Sequence, residues 1–242
     1  MSKRAALVTG ASSGIGLAIA RALGEEGYVL TVSGRRAEKL ESAAAGLRDL
    51  GFEVHAAVAE IGREKDVLAL FAAHREAWGR LDVLVNNAGV GIPGTLDDLS
   101  ADDLDRQLEV NLRAVILGTR EGLPLLRQAG AEHGKALIVN TASIAGKSGQ
   151  TRASVYAATK AAVLNFTEST SLEAGAAGIQ CTALAPGWVD TPMAAEHSDV
   201  VPAEAMIKPE DIAEAVRFLL RTSANCQVPE IVFTQPGLGA AG

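Results

Sequence analysis

The sequence predicts an α/β protein: one doubly wound domain, residues 1–242, in which helices cover both faces of a parallel sheet. Three observations predict it. Short apolar runs alternate with stretches of helical periodicity from residue 5 to residue 234, with no break in composition, as in a chain of strand-helix-strand units. Hydrophobic residues make up 48% of the chain and aromatic ones only 4%, so Ala, Val, Leu and Ile must build the core, which suits strands buried on both faces. The first apolar run passes through a glycine-rich turn directly into a helical pattern.

That first strand is Ala5 to Thr9, and the turn reads Thr9-Gly10-Ala11-Ser12-Ser13-Gly14-Ile15-Gly16. Gly14 to Gly27 follows as a helix with Ile15, Ala18, Ile19 and Ala22 on one side. Glycines in such a turn let the backbone approach a pyrophosphate, and the helix amino end adds N–H donors and a favourable dipole. Tyr28 to Val32 is the second strand, ending at Ser33-Gly34-Arg35-Arg36, and Glu38 to Leu50 is the next helix. The end of a second strand addresses the adenosine ribose: an acid there accepts from the 2′-hydroxyl of NAD, whereas an arginine accommodates the 2′-phosphate of NADP. Arg35 stands there and no acid does, which favours NADP over NAD.

Phe52 to Ala59 is the third strand, followed by Glu60-Ile61 and a helix whose Val67, Leu70, Phe71 and Trp78 form a core stripe. Leu81 to Val85 is the fourth strand, closed by Asn86-Asn87-Ala88-Gly89, whose small residues let the chain pass close to a bound ring. Ser100 through Arg127 is the longest helical pattern. It opens on a box-like Ser100 and Asp103 and carries Leu104, Leu108, Leu112, Val115 and Ile116, with Asn111 in its middle. Asparagine is a poor helix former, so Asn111 needs either solvent or a hydrogen-bond partner. Ala136 to Asn140 is the fifth strand, leading to Ser143 and a helix through Tyr156, Lys160, Val163, Leu164 and Phe166 toward Glu173. Ile179 to Leu184 is the sixth strand, ended by Pro186-Gly187. Residues 190–208 have weak periodicity and read as a substrate lid. Pro209 with Glu210 and Asp211 opens the last helix, Glu230 to Thr234 is the seventh strand, and the Gly/Ala tail is expected to fray.

Composition excludes several functions. The formal charge is −7, and basic residues cluster only at Arg35, Arg36 and Lys39, which speaks against nucleic acid as a partner. No run reaches transmembrane length, and Ala5 to Val8 is too short for a secretory core; a cytoplasmic protein without a membrane partner is expected. Cys181 and Cys226 read as ordinary thiols, and His55, His74, His133 and His197 are scattered, so no metal site is expected.

Tyr156 and Lys160 lie four positions apart and share a helix face. An ammonium beside a phenol lowers the phenol's pKa from about 10, which prepares it to give or take a proton. Such a pair also occurs on helices with no chemistry to do. Joined to the glycine loop, to Asn86-Asn87-Ala88-Gly89 and to Ser143 thirteen residues earlier, it describes a hydride-transfer site.

With these motifs placed, the chain resembles the short-chain dehydrogenase/reductase family, in its compact single-domain branch, over essentially its full length up to the seventh strand. The resemblance implies a Rossmann-type sheet of seven parallel strands in the order 3-2-1-4-5-6-7. It implies that Tyr156 is the acid in carbonyl reduction and the base in alcohol oxidation, that Ser143 bonds the reacting oxygen, that Lys160 holds the nicotinamide ribose, and that Asn111 anchors a water in a proton relay. Thr9, Gly10, Ser12, Ser13, Gly14, Ile15 and Gly16 would form the pyrophosphate loop. Asn87, Ala88 and Gly89 would line the cofactor, Arg35 with Arg36 would meet the 2′-phosphate, and Pro186, Gly187, Val189 and Thr191 would contact the nicotinamide. The substrate would be a small ketone or secondary alcohol, the cofactor NADPH, and the assembly a homodimer or homotetramer.

Three departures stand out. Ser13 occupies a position where NADP-using members often carry a basic residue. Glu60 stands where the family commonly has an aspartate that bonds adenine; a glutamate can still accept that bond but reaches further, so Glu60 is expected to bind the cofactor. The seventh strand ends Thr234-Gln235-Pro236-Gly237 rather than in the ending of fatty-acid-type ketoacyl reductases. Trp188 and His197 are possible substrate contacts in the lid. Val115, Val163 and Phe166 suit either a subunit contact or the core. A dinucleotide-sensing binding protein, a sugar-nucleotide epimerase or an NAD-dependent hydroxy-acid dehydrogenase are the competing readings. The sensor would be expected to lack one of Ser143, Tyr156 and Lys160, and the epimerase would need a larger substrate domain.

Overall fold

The short β-branched and aliphatic runs become strands because helices on both faces of the sheet bury their side chains. In a computed structural model, residues 3–195 and 201–237 are described. Among them lie β1 (Ala5–Thr9), α1 (Gly14–Glu25), β2 (Val29–Gly34), α2 (Ala37–Asp49), β3 (Val54–Val58), α3 (Glu64–Trp78) and β4 (Val83–Asn86). The second half holds α4 (Ala101–Leu108), α5 (Ala114–His133), β5 (Ala136–Thr141), α6 (Ser154–Ala174), β6 (Ile179–Pro186), α7 (Pro209–Arg221) and β7 (Glu230–Phe233). The strands form one parallel sheet in the order 3-2-1-4-5-6-7, as the resemblance implied. The order reverses between β1 and β4, and the crevice beyond the carboxyl ends at such a reversal is where ligands bind in open α/β sheets.

Strand alternation divides the core. Ala6 and Val8 of β1 and Val83 and Val85 of β4 face Ile19, Leu23, Leu40, Ile212 and Val216 on α1, α2 and α7. Leu7 and Leu84 face the other way, onto Val67, Leu70 and Phe71 of α3 and Leu117, Leu125 and Leu126 of α5. Val115 and Val163 pack with Ala142 and Ala183 in a smaller cluster, with Phe166 against it. The two valines are therefore intrachain core, which settles them against a subunit contact.

The long helix departs from its expected form. Ser100 does make the capping box with Asp103, accepting from its N–H at 3.1 Å, but α4 and α5 are separated by a π turn, Glu109–Arg113. The helix also continues past Arg127 to His133 with Pro124 inside it. Pro124 and Arg120, the residue whose carbonyl loses its partner, are both exposed, so the missing hydrogen bond faces water. Leu108 and Ile116, expected on the inward stripe, are 40% and 39% exposed. Gln107, Val110 and Asn111 are buried in their place.

The lid's described residues include a 3-10 turn at Ala203–Ala205 and a parallel bridge between Val189 and Ile207. Trp188 packs against Ala194, Val201 and Met206, a small core of the lid's own. His197 lies outside the described residues. No described helix is long and apolar enough to cross a membrane, and among the described residues no cluster of His, Cys, Asp or Glu could hold a metal ion.

One buried polar group makes the fold sensitive to acid. His74 of α3 meets the Thr31 hydroxyl through Nδ1 at 2.8 Å and the Arg80 carbonyl through Nε2 at 2.8 Å, while the Trp78 indole N–H donates to the same Thr31 hydroxyl at 3.0 Å. Burial lowers its pKa from 6.5 to about 4. Between those values the unfolded chain takes a proton that the folded one refuses. The contribution is therefore complete above pH 6.5 and is lost as pH falls toward 4. A gap of that width is worth about 3 kcal/mol. Urea unfolding at neutral pH and at pH 4 should show such a loss, and His74→Gln should remove most of it; an equal loss in the variant would assign the effect elsewhere.

Candidate active site

The glycine loop is built by its neighbours. The Thr9 hydroxyl accepts from the N–H groups of Asn87 at 3.0 Å and Ala88 at 3.2 Å. The Asn87 amide donates back to the carbonyls of Thr9 at 3.1 Å and Gly10 at 3.3 Å, and its oxygen accepts from the Thr141 hydroxyl at 3.3 Å. Asn87 therefore braces β1, β4 and β5 with its side chain, leaving Ala88 and Gly89 to present backbone. A Cβ on Gly16 would stand 2.4 Å from Asn87 Nδ2 and 2.5 Å from the Gly10 carbonyl, so only glycine lets α1 come this close. Gly14 adopts φ +55°, with Thr191 of the lid root against it. Ser13 precedes α1 in extended conformation and no side chain caps the helix. The first-turn amides are thus open to an anion. These features fit a dinucleotide: a glycine-rich loop held close to α1 and uncapped amides at the helix start.

Ser12 lies beside Gly34, at the end of β2. Arg35 and Arg36 are exposed there, and neither guanidinium has a protein partner among the described residues. Ile15 packs its side chain on the core below α1. Glu60 behaves differently from the expectation. Arg106 of α4 takes both its carboxylate oxygens, at 3.2 and 3.3 Å, because the extra methylene carries the carboxylate across to that helix. Its free acceptor capacity toward an adenine is correspondingly reduced.

Tyr156 and Lys160 sit on the first turns of α6, and both meet the strand ends. Lys160 is 3% exposed and donates to the Thr141 carbonyl at 2.7 Å; burial lowers its pKa to about 8. Its ammonium is 5.6 Å from the Tyr156 ring centroid. Burial raises the Tyr156 pKa above the ordinary tyrosine value, and a hydrogen bond with Ser143 pulls the other way. This corrects the expected lowering by Lys160: the ammonium is turned to a backbone carbonyl, and desolvation decides the direction. The phenol keeps its proton at neutral pH. Ser143 donates to the Pro186 carbonyl at 3.3 Å and accepts from Ala145 N–H at 3.1 Å, so β5 and β6 jointly hold it.

Asn111 is fully buried within the π turn. Its oxygen accepts from Val90 N–H and its nitrogen donates to Val90 C=O, both at 2.8 Å, with Thr159 at 3.3 Å. The hydrogen-bonded alternative for this amide is therefore the correct one. A Cβ on Gly89 would lie 3.4 Å from Asn111 Oδ1 and 3.6 Å from Lys160 Nζ, which puts the backbone of Gly89 beside both groups. Gly187 N–H donates to the Phe233 carbonyl at 2.8 Å, and Val189 is buried in its bridge to Ile207.

Thr9 and Pro186 are the last residues of β1 and β6, and Arg35, Glu60, Asn87 and Ser143 follow within two residues the ends of β2, β3, β4 and β5. The sequence reading missed Thr141, whose carbonyl and hydroxyl serve Lys160 and Asn87. It also missed Asn140, whose amide links Asn86 at 2.9 Å to the Thr167 hydroxyl at 2.9 Å. A polar pair closing the apolar run Ala136 to Val139 was the available signal.

The sequence profile described as short chain dehydrogenase matches residues 4–201. A putative ketoacyl reductase of Streptomyces coelicolor is 37% identical over 254 residues, covering 97% of this chain and 96% of the relative. The cis-4-hydroxycyclohexanecarboxylate dehydrogenase of Sinomonas cyclohexanicum is 37% identical, covering 98% and 97%. Among solved structures, the actinorhodin polyketide ketoreductase with NADPH has a TM-score of 0.87 at 35% identity, over 99% of both chains. Fold and relatives define an oxidoreductase that acts on a ketone or an alcohol with a nicotinamide cofactor. The chain belongs to the short-chain dehydrogenase family.

Proposed function

We propose that the protein is an NADPH-dependent carbonyl reductase, reversible as an alcohol dehydrogenase, whose site is Tyr156, Ser143, Lys160 and Asn111. The convergence of Ser143 and Tyr156 beside the glycine loop carries this reading. When bound, the nicotinamide supplies the hydride. Carbonyl reduction builds negative charge on oxygen, and two hydroxyl donors aimed at one point stabilise it. A phenol that keeps its proton at neutral pH is ready to act as the acid. Lys160 keeps a cation behind the phenol, and Asn111 holds the loop that closes this side. Thr9 to Gly16 receive the pyrophosphate, and Pro186, Gly187, Val189 and Thr191 border the nicotinamide. The test is oxidation of NADPH against a panel of ketoesters, diketones, cyclic ketones and aromatic aldehydes. Tight cofactor binding with no turnover across the panel would favour a dinucleotide sensor.

The preference for NADPH rests on Arg35, with Arg36 beside it, because both cations are unpaired at the end of β2. Arg35→Ala should weaken NADPH binding by about tenfold or more, the worth of a charged hydrogen bond, and leave NADH binding unchanged. Titration of both cofactors by fluorescence decides it: an equal loss for both would mean that Arg35 does not read the 2′-phosphate.

The same reading takes a small-molecule substrate, and a homodimer or homotetramer as the assembly. Exposed Leu172 on α6 and Phe218 on α7 support the assembly.

A further inference from the structure

We propose that Gln107 is a positioning residue, which with Asn111 holds residues 90–92 beside the Tyr156 ring and so sets the substrate side of the site. The kinetic half of this proposal rests on the reductase reading; the structural half does not.

Gln107 is 0% exposed and lies four positions before Asn111. The two amides address alternate residues of one extended segment. Asn111 closes two hydrogen bonds on Val90, each 2.8 Å, and Gln107 Oε1 accepts from Ile92 N–H at 3.4 Å. Gly91, between them, faces the tyrosine: a Cβ built on it would lie 3.9 Å from Tyr156 Cδ2 and 4.0 Å from Cε2. The segment is therefore a strip, held by amides at two residues and standing, at the residue between, beside the proton-transferring ring with room for a methyl group.

The remaining half of the Gln107 amide sharpens the argument. Nε2 is buried and has no hydrogen-bond partner among the described residues. Turning the amide over would set two donors against each other at Ile92, so the Ile92 N–H fixes the orientation. A buried N–H2 without a partner is unfavourable. Methionine or leucine would fill the position without that penalty. What the amide contributes is the acceptor for Ile92, the only polar contact that ties this residue's N–H to α4 among the described residues.

Gln107→Met keeps the volume and removes the acceptor. Amide hydrogen exchange should then rise about tenfold at Ile92 while Val90, held by Asn111, stays protected. The KM for the ketone should rise about tenfold, with kcat little changed and NADPH affinity within about twofold. Gln107→Glu retains an acceptor oxygen and should restore Ile92 protection and most of the KM. Unchanged exchange at Ile92, or a rise shared with Val90 and the strands, would overturn the clamp; raised exchange with an unchanged KM would overturn its role in substrate positioning. Should the wild type reduce no carbonyl, the reductase reading fails alone, and the exchange comparison still decides the clamp.

Discussion

Tyr156→Phe is expected to lower kcat about a thousandfold, within the usual range for loss of a general acid, while NADPH affinity changes by less than about twofold. The expectation follows from the separation of the two tasks. The phenol end meets Ser143, whereas the glycine loop proposed to receive the dinucleotide is built on Thr9 and Asn87. Removing one hydroxyl leaves the ring and the helix unchanged, so the variant should fold normally. Single-turnover measurement with NADPH bound separates chemistry from binding. Wild-type rates in the variant would remove Tyr156 from the mechanism.

Gly146→Ala should be nearly as damaging, although Gly146 touches no reacting group. It ends the 3-10 turn Ile144–Gly146 that follows Ser143, and it packs directly on the backbone of α6. A Cβ there would lie 2.6 Å from the Lys160 carbonyl carbon, 2.7 Å from Ala161 N and 2.9 Å from the Lys160 oxygen. Backbone atoms cannot turn aside as a flexible side chain can, so the turn and the helix must separate, and Ser143 moves away from Tyr156 and Lys160. Overpacking of this kind costs about 1–3 kcal/mol of stability, and a shift of about 1 Å in a catalytic constellation costs about a hundredfold in rate. Gly149→Ala is the matched control, because nothing lies within 4 Å of a Cβ at Gly149. Equal kcat in the two alanine variants would mean that the turn and helix are free to move without consequence.

The strands were legible because parallel sheets demand continuous apolar runs, and the helix starts because Ser100 with Asp103 and Pro209 with Asp211 carry their own capping chemistry. The order of the sheet came from the resemblance, not from periodicity. Leu108 and Ile116 misled the reading of α4 and α5. Leucines at helical spacing suggest an inward face, but here the inward face carries Gln107 and Asn111, and only the neighbouring loop's need for amide partners explains that. The helix end at Arg127 fell short of His133, and Pro124 is tolerated inside the helix because the hydrogen bond it removes faces water. The direction of the Tyr156 pKa was beyond the sequence, because it turns on where the Lys160 ammonium points. Glu60 was placed correctly at the end of β3, but its ion pair with Arg106 depends on a helix far along the chain.

A π turn holds one residue more than an α-helical turn needs, and Glu109–Arg113 is therefore spare length stored inside a helix. Each residue of an α-helix advances about 100° around its axis. Loss of a single residue near Leu108 would let the chain close into a regular α-helix here; because the wider turn absorbs the extra residue, Ser100 to Gln107 would keep close to their present facing, while Gln107 and Asn111 would stand three positions apart instead of four. The fold would tolerate such a deletion better than the site would. In this stretch the count of residues, as much as their identity, sets the spacing of the two amides along the helix.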